Sequence, residues 1–326
     1  MTRLLFESIT QAHAAIRPQV PVTPLERSSA LSATLGCEVL LKCEHLQPTG
    51  SFKIRGATNK IRLLGDDARR AGVITASTGN HGQAVARAGA LAGVPVRVFV
   101  AASTVPSKMD AIRRLGADLS IIDGNPLDAE LAARRSAAEQ GKTYVAPYND
   151  RDVVAGQGTL GVELSEQAPQ LDAVFVSVGG GGLIGGLGTA LKHLNPNTEV
   201  VGVWPENSPC MLRALEAGRL LEVPERPTLS DGTAGGIEPG SITFPLCQSV
   251  IDARISVNEP EIAAAMRAIA SADHWIVEGA AGVALAGLVK VASAWQGRRV
   301  AVVVCGRNIA IETFLGAIGA PAAAHP

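Results

Sequence analysis

The residue with the clearest chemical potential is Lys53, in the run Pro48-Thr49-Gly50-Ser51-Phe52-Lys53-Ile54-Arg55-Gly56-Ala57. Residues 48–51 read as a turn and helix cap, and the helix that follows carries Phe52, Lys53, Ile54, Ala57 and Ile61. A lysine in the first turn faces the positive end of the helix dipole. Once desolvated it loses basicity and suits nucleophilic amine chemistry with an aldehyde. The same residue taken alone also fits a surface lysine whose stem lies along apolar surface while its head stays in water.

Three further segments could complete a site. In Thr75-Ala76-Ser77-Thr78-Gly79-Asn80-His81-Gly82, a strand runs through a polar turn into a helix starting near His81. Amides and hydroxyls gathered at a helix start can hold a carboxylate, or form no more than a good cap. In 173–188 an apolar strand ends in Gly179, Gly180, Gly181 and Gly182 and passes directly into a helix over 183–193. Bare amides there make a phosphate cradle. Gly180-x-Gly182-x-x-Gly185, with Glu206 about 20 residues on, fits a dinucleotide site equally well. Finally, the strand at 300–304 delivers Cys305 and Gly306 to its C-terminal end, where α/β proteins bind ligands or where a cysteine packs.

The elements that must position these residues alternate. Short β-branched runs at 38–41, 72–75, 96–100, 119–122, 173–178, 200–203 and 300–304 read as buried parallel strands. Helical spacing lies between them at 82–92, 108–115, 126–140 and 156–167. The expected fold is α/β: a small domain at 71–147, inserted into a larger one built from 1–70 and 148–326. The tail 317–326 reads as frayed.

Composition narrows the function classes. With 29 basic and 30 acidic residues the net charge is −1, which argues against nucleic acid and anionic membrane as partners. No apolar run approaches the ~18 residues of a membrane span, and the N-terminus has no signal-peptide core. Five scattered cysteines without a C-x-x-C pair indicate neither a disulfide framework nor a zinc site. A soluble, reduced, cytoplasmic protein is expected.

Taken in combination and in order, Ser51-Phe52-Lys53-Ile54-Arg55-Gly56-Ala57, Ser77-Thr78-Gly79-Asn80-His81-Gly82 and the four glycines resemble the fold-type II pyridoxal 5′-phosphate (PLP) enzymes of the serine/threonine dehydratase and serine racemase group. The resemblance runs through essentially the whole chain. It implies a two-domain fold of the tryptophan synthase β type, with parallel open twisted sheets covered by helices. It implies that Lys53 carries PLP covalently and Phe52 flanks the ring. Asn80 bonds the ring hydroxyl, and Gly179, Gly180, Gly181, Gly182 and Leu183 hold the phosphate. Cys305 sits against the pyridine nitrogen, Glu278 stands near the cofactor, and Ser77, Thr78 and His81 take the substrate carboxylate. A homodimer is implied as well. The dinucleotide reading leaves Lys53 and Asn80 unexplained.

A neutral thiol at Cys305 would not keep the pyridine nitrogen protonated, and this favours prompt β-elimination over transamination. The implied reaction is loss of the β-hydroxyl of a 3-hydroxy amino acid, such as L-threonine or L-serine, giving a 2-oxo acid and ammonia. Lys53 would serve as base, and the hydroxyl would leave protonated through the cofactor phosphate. The alternatives are an amino acid racemase on the same lysine-bound cofactor, and a non-catalytic PLP- or dinucleotide-binding protein. Thr78 stands where the racemases carry a serine base, and its stiffer side chain weighs against racemisation. Trp204 and Cys210 replace oxygen donors at the family's cation site, so no metal is expected. No C-terminal regulatory domain is expected either. The loop Gly235-Gly236-Ile237-Glu238-Pro239 departs from the usual dehydratase pattern. That departure fits either loop drift or a β substituent such as that of phenylserine, 3-hydroxyaspartate or a hydroxyectoine breakdown product.

Overall fold

The computed structural model of the protein describes residues 2–319, and its architecture is two sheets covered by helices. Ten strands are present among the described residues: β1 Leu25–Arg27, β2 Glu38–Lys42, β3 Val73–Ala76, β4 Val96–Ala101, β5 Asp118–Ile122, β6 Thr143–Tyr144, β7 Ala173–Ser177, β8 Glu199–Pro205, β9 Ala253–Val257 and β10 Arg299–Val303. Six of them form one sheet in the order β1-β2-β10-β7-β8-β9. The other four form a second sheet, β5-β4-β3-β6, whose strands are all parallel. In the larger sheet only the short β1 runs antiparallel, beside β2.

The central strands β7, β8 and β10 are almost wholly buried and rich in valine. A parallel strand covered on both faces needs such a composition. The strands absent from the sequence reading, β1, β6 and β9, are all edge strands carrying polar residues such as Glu26, Arg27 and Arg254. The run at 119–122 is likewise an edge, with Ile121 exposed, and not the buried strand expected.

Helix starts differ as well. The Arg151–Gln167 helix begins five residues before Gly156, because the Asp150 carboxylate accepts from the amides of Asp152 and Val153. Ser51 caps nothing: the Lys53–Arg62 helix starts after Phe52 without a side-chain cap. Residues 50–52 are instead tied to the end of β10, by Phe52 N to Cys305 O at 3.1 Å and Arg307 N to Gly50 O at 2.9 Å. Of the expected frayed tail, Ala317 is buried within a last helix, Ile311–Gly319, and residues 320–326 lie outside the described residues.

The Lys53–Arg62 helix shares the core of the four-stranded sheet. Ile54, Ala57 and Ile61 pack with Val73, Val85, Val96 and Val98. Its opposite side crosses the Arg151–Gln167 helix at a contact of bare backbone, where an added Cβ on Gly156 would lie 2.5 Å from Arg55 O.

Candidate active site

The residues that the resemblance assigns to cofactor and substrate line one cavity of about 1040 Å³: Phe52, Lys53, Ser77, Thr78, Asn80, His81, the glycines 179–182, Leu183, Glu278 and Cys305; Gly185 and Glu206 of the dinucleotide pattern do not. The reason is topological. The polar turns follow the C-terminal ends of β7 and β10 in the larger sheet and of β3 in the smaller one, and parallel strands gather such ends at one edge of each sheet, both of which face this cavity.

Lys53 lies at the first position of its helix, and its Nζ donates to Pro147 O at 2.8 Å. Burial draws its pKa down to about 8, against the nearby Cys305 and Glu278, which act to raise it. Roughly a tenth of such an amine is neutral at pH 7, far more than for a solvated lysine. The amine is therefore a nucleophile at ordinary pH.

Two helix N-termini open on the same cavity. In the Gly182–Leu194 helix the first backbone bond runs from Gly185 N to Gly181 O, so the amides of Gly182, Leu183 and Ile184 precede it. Gly181 sits at φ +81°, in the left-handed region that favours glycine. An added Cβ on Gly180 would lie 2.4 Å from the Tyr148 ring, and on Gly179 2.8 Å from Thr233 O. Bare backbone lets this turn pass closely against Tyr148 and Thr233 and brings the free amides of the helix start to the cavity, where they suit an anion. In the Asn80–Ala92 helix the first bond runs from Gln83 N to Gly79 O, which leaves the amides of Asn80, His81 and Gly82 free in the same way. The His81 ring does not add a donor. Its Nε2 lies 2.9 Å from Val145 O, a pure acceptor, so Nε2 carries the proton, and burial beside Lys53 holds the ring neutral with a pKa near 3.

Under these elements lies a polar floor. Asn80 Nδ2 donates to Glu278 at 2.8 and 3.0 Å, and Asn308 Nδ2 donates to Asn80 Oδ1 at 2.5 Å. Cys305 Sγ stands 4.0 Å from Glu278 Oε1 and takes a contact from Ser177 Oγ at 3.7 Å. Burial, aided by the Glu278 charge, keeps that thiol protonated. Glu278 is pushed up to about 7, chiefly by burial and against the Asn80 hydrogen bond. Because this folded value lies above that of an unfolded glutamate, the native state holds the extra proton between about pH 4.5 and 7. Stability drawn from Glu278 is thus present at low pH and lost as pH rises through 7. The melting temperature of the cofactor-free protein is expected to fall, relative to Glu278→Gln, as pH rises from 5 to 7.5. Parallel profiles for the two proteins would show that Glu278 does not titrate there.

The residues that sequence reasoning missed are Asn308, Ser177, Tyr148, Asn149 and Arg134, while Glu238 lies in the loop it singled out. The glycine-rich segment 232–239 forms one wall of the cavity. It is held by Arg134 Nη2 to Glu238 Oε1 at 2.6 Å, Asn149 Nδ2 to Glu238 Oε2 at 3.0 Å and Glu238 N to the Tyr148 hydroxyl at 3.0 Å. Arg134 and Glu238 lie 104 residues apart, and no local spacing signals such a pair. Three arginines close in sequence to the cavity's turns stand elsewhere: Arg55 is fully buried in an ion cluster, and Arg151 and Arg307 are exposed and line no part of this cavity. Trp204 is fully buried. Among the described residues no three His, Cys, Asp or Glu side chains are grouped to share a metal ion. Among the same residues no helix is long and apolar enough to cross a membrane.

Residues 16–306 match the family described as pyridoxal-phosphate dependent enzyme. Among curated proteins the chain is 42% identical over 310 residues to an L-threonine ammonia-lyase of Thermotoga maritima, covering 95% of this chain and 77% of that one. It is 33% identical over 307 residues to a serine racemase of Oryza sativa, covering 93% and 90% of the two chains. Among solved structures, the processed form of threonine deaminase isoform 2 from Solanum lycopersicum superposes with a TM-score of 0.93 at 31% identity, covering 98% and 94%.

Proposed function

Given that the chain belongs to the family of pyridoxal-phosphate dependent enzymes, in its fold-type II branch, we propose that it is an ammonia-lyase that removes the β-hydroxyl of a 3-hydroxy amino acid. L-threonine and L-serine are the first substrates to consider, and the products are a 2-oxo acid and ammonia. One observation carries the reading: a half-buried amine of lowered basicity shares one cavity with two helix N-termini. One terminus suits a phosphate and the other a substrate carboxylate.

The residues fit the cofactor. The amides at 182–184 and the bare glycines before them would hold its phosphate, Lys53 its aldehyde carbon and Asn80 its ring hydroxyl, with Phe52 and Cys305 about the ring. When bound, pyridoxal phosphate supplies an electron sink for the carbon that bears the substrate's amino group. Amides 80–82, with Ser77 and Thr78, orient the substrate carboxylate. Lys53 Nζ takes the Cα proton as general base, for which a pKa of about 8 is well matched to neutral pH. Cys305, neutral and buried, offers no charge to hold a proton on the ring nitrogen. This favours expulsion of the β-hydroxyl over slower fates.

The cavity wall bears on the substituent. Glu130, Glu222, Glu225, Asp231 and Glu238 line it, against Lys108 and Arg134, and both of these cations already pair with carboxylates. A second carboxylate on the substrate would find like charge and no free arginine, so 3-hydroxyaspartate ranks below L-threonine, L-serine and phenylserine. The division into domains at 71–147, the homodimer and the cytoplasmic setting belong to the same proposal.

Incubating the PLP-loaded protein with these four substrates, while following 2-oxo acid, ammonia and D-amino acid together, tests the reading. Equimolar 2-oxo acid and ammonia are expected from at least one neutral substrate, with 3-hydroxyaspartate slowest. D-amino acid without 2-oxo acid would replace the lyase with a racemase acting through Thr78.

A further inference from the structure

Asn308 belongs to a segment that the proposed chemistry leaves unused beyond Cys305, and it joins three parts of the site. Its Nδ2 donates to Thr49 O at 2.8 Å, in the turn that leads to Lys53, and to Asn80 Oδ1 at 2.5 Å. Its own backbone amide supports the Glu278 carboxylate. The turn is shaped to receive it. Gly50 stands at φ +74°, and an added Cβ there would lie 2.7 Å from Asn308 Oδ1.

The partners of Asn80 fix which way its amide faces. Asn308 Nδ2, which also donates to Thr49 O, offers it a donor, and both Glu278 oxygens lie at 2.8 and 3.0 Å from its Nδ2 as acceptors. Oδ1 must therefore turn to Asn308 and Nδ2 to Glu278. Asn80 lines the cavity, so the group left to face a ligand is the remaining hydrogen on Nδ2 and not the carbonyl.

We infer that Asn308 is a positioning residue: by holding Asn80 Oδ1 it commits Asn80 to present an N–H to an anionic oxygen of the bound cofactor's ring. The inference rests on the reading of Asn80 as a ring contact. Replacing the Asn308 donor by an isosteric acceptor reverses the condition. Asn80 then has acceptors on both sides, spends both Nδ2 hydrogens on them and turns its carbonyl to the cavity.

The test compares Asn308→Asp, Asn308→Ala, Asn80→Ala and the double variant Asn308→Asp/Glu278→Gln. Three readouts are taken: PLP dissociation constant, pH titration of the bound cofactor's visible absorbance, and melting temperature of the cofactor-free protein. Both single variants at 308 lose the Thr49 bond and are expected to melt below wild type, Asn308→Asp the lower of the two because its carboxylate meets the Thr49 carbonyl. Asn308→Asp is expected to bind PLP at least about tenfold more weakly than Asn308→Ala, the effect of one hydrogen bond lost, and to shift the absorbance titration. The double variant keeps the wild-type charge while exchanging donor and acceptor around Asn80, and it is expected to stay weak. Wild-type affinity in the double variant would overturn the inference, since charge alone would then explain Asn308→Asp. Equal affinities for Asp and Ala at 308 would overturn it too, leaving a structural bond only. If Asn80→Ala itself binds PLP as wild type does, the ring-contact reading fails first and independently.

Discussion

Substituting Lys53 with alanine is expected to end turnover while leaving the fold in place. Its Nζ bonds only Pro147 O among the described partners, and burial already works against its charge. Removing the amine therefore relieves a desolvation cost, and the melting temperature of the cofactor-free protein should not fall. Lost with it are the covalent hold on the cofactor and the general base, so kcat/KM should drop at least about 10³-fold. Release of 2-oxo acid by the cofactor-saturated variant, beside its melting curve, measures both parts. Activity within tenfold of wild type would remove Lys53 from the chemistry. A collapsed fold would show that the amine is structural.

The second large effect lies behind the site. Arg55, two residues beyond Lys53, is fully buried and bridges two carboxylates. Its Nε and Nη2 meet Glu44 at 2.7 Å, and its Nη1 and Nη2 meet Glu163 at 2.7 and 2.8 Å. Lys42 and Arg17 reach the same Glu163, each at 2.6 Å. Burial alone would raise Glu163, and the Arg55 guanidinium overrides it and holds the carboxylate near 2. Arg55→Ala leaves buried Glu44 without its ion-pair partner and Glu163 with Lys42 and Arg17 alone, and is expected to cost about 3–5 kcal/mol, read from equilibrium urea unfolding. A depressed carboxylate contributes stability above its unfolded pKa and loses it as pH falls through the folded one. The gap between wild type and variant should thus be full above pH 4.5 and close toward pH 2. A loss below 1 kcal/mol would mean that water reaches the cluster.

The sequence announces the residues of this site better than the contacts that hold them. Lys53, Asn80 and the glycine run stand in short polar or glycine-rich turns after apolar strands, a pattern visible along the chain. The central strands β7, β8 and β10 are legible for the same reason, being uninterrupted apolar runs. Three things escape. Edge strands such as β9 alternate weakly and carry Arg254. The Ser51 cap fails because tertiary pairing with the end of β10 takes the turn that local rules would assign to a cap. Asn308 and Glu238 act across 228 and 104 residues of chain, and a polar residue in a loop looks the same whether it faces water or a distant amide.

The shared position of the Lys53–Arg62 helix has a mechanical corollary. One side of it is built into the core of the four-stranded sheet, while the other packs against the Arg151–Gln167 helix over bare backbone at Gly56 and Gly156. The turn just before the amine is bonded to the end of β10 in the larger sheet, so Lys53 sits on the seam between both layers. A side chain at Gly56 or Gly156, whose Cβ would meet backbone oxygen at 2.7 or 2.5 Å, would wedge that seam and shift the amine without touching any residue of the cavity.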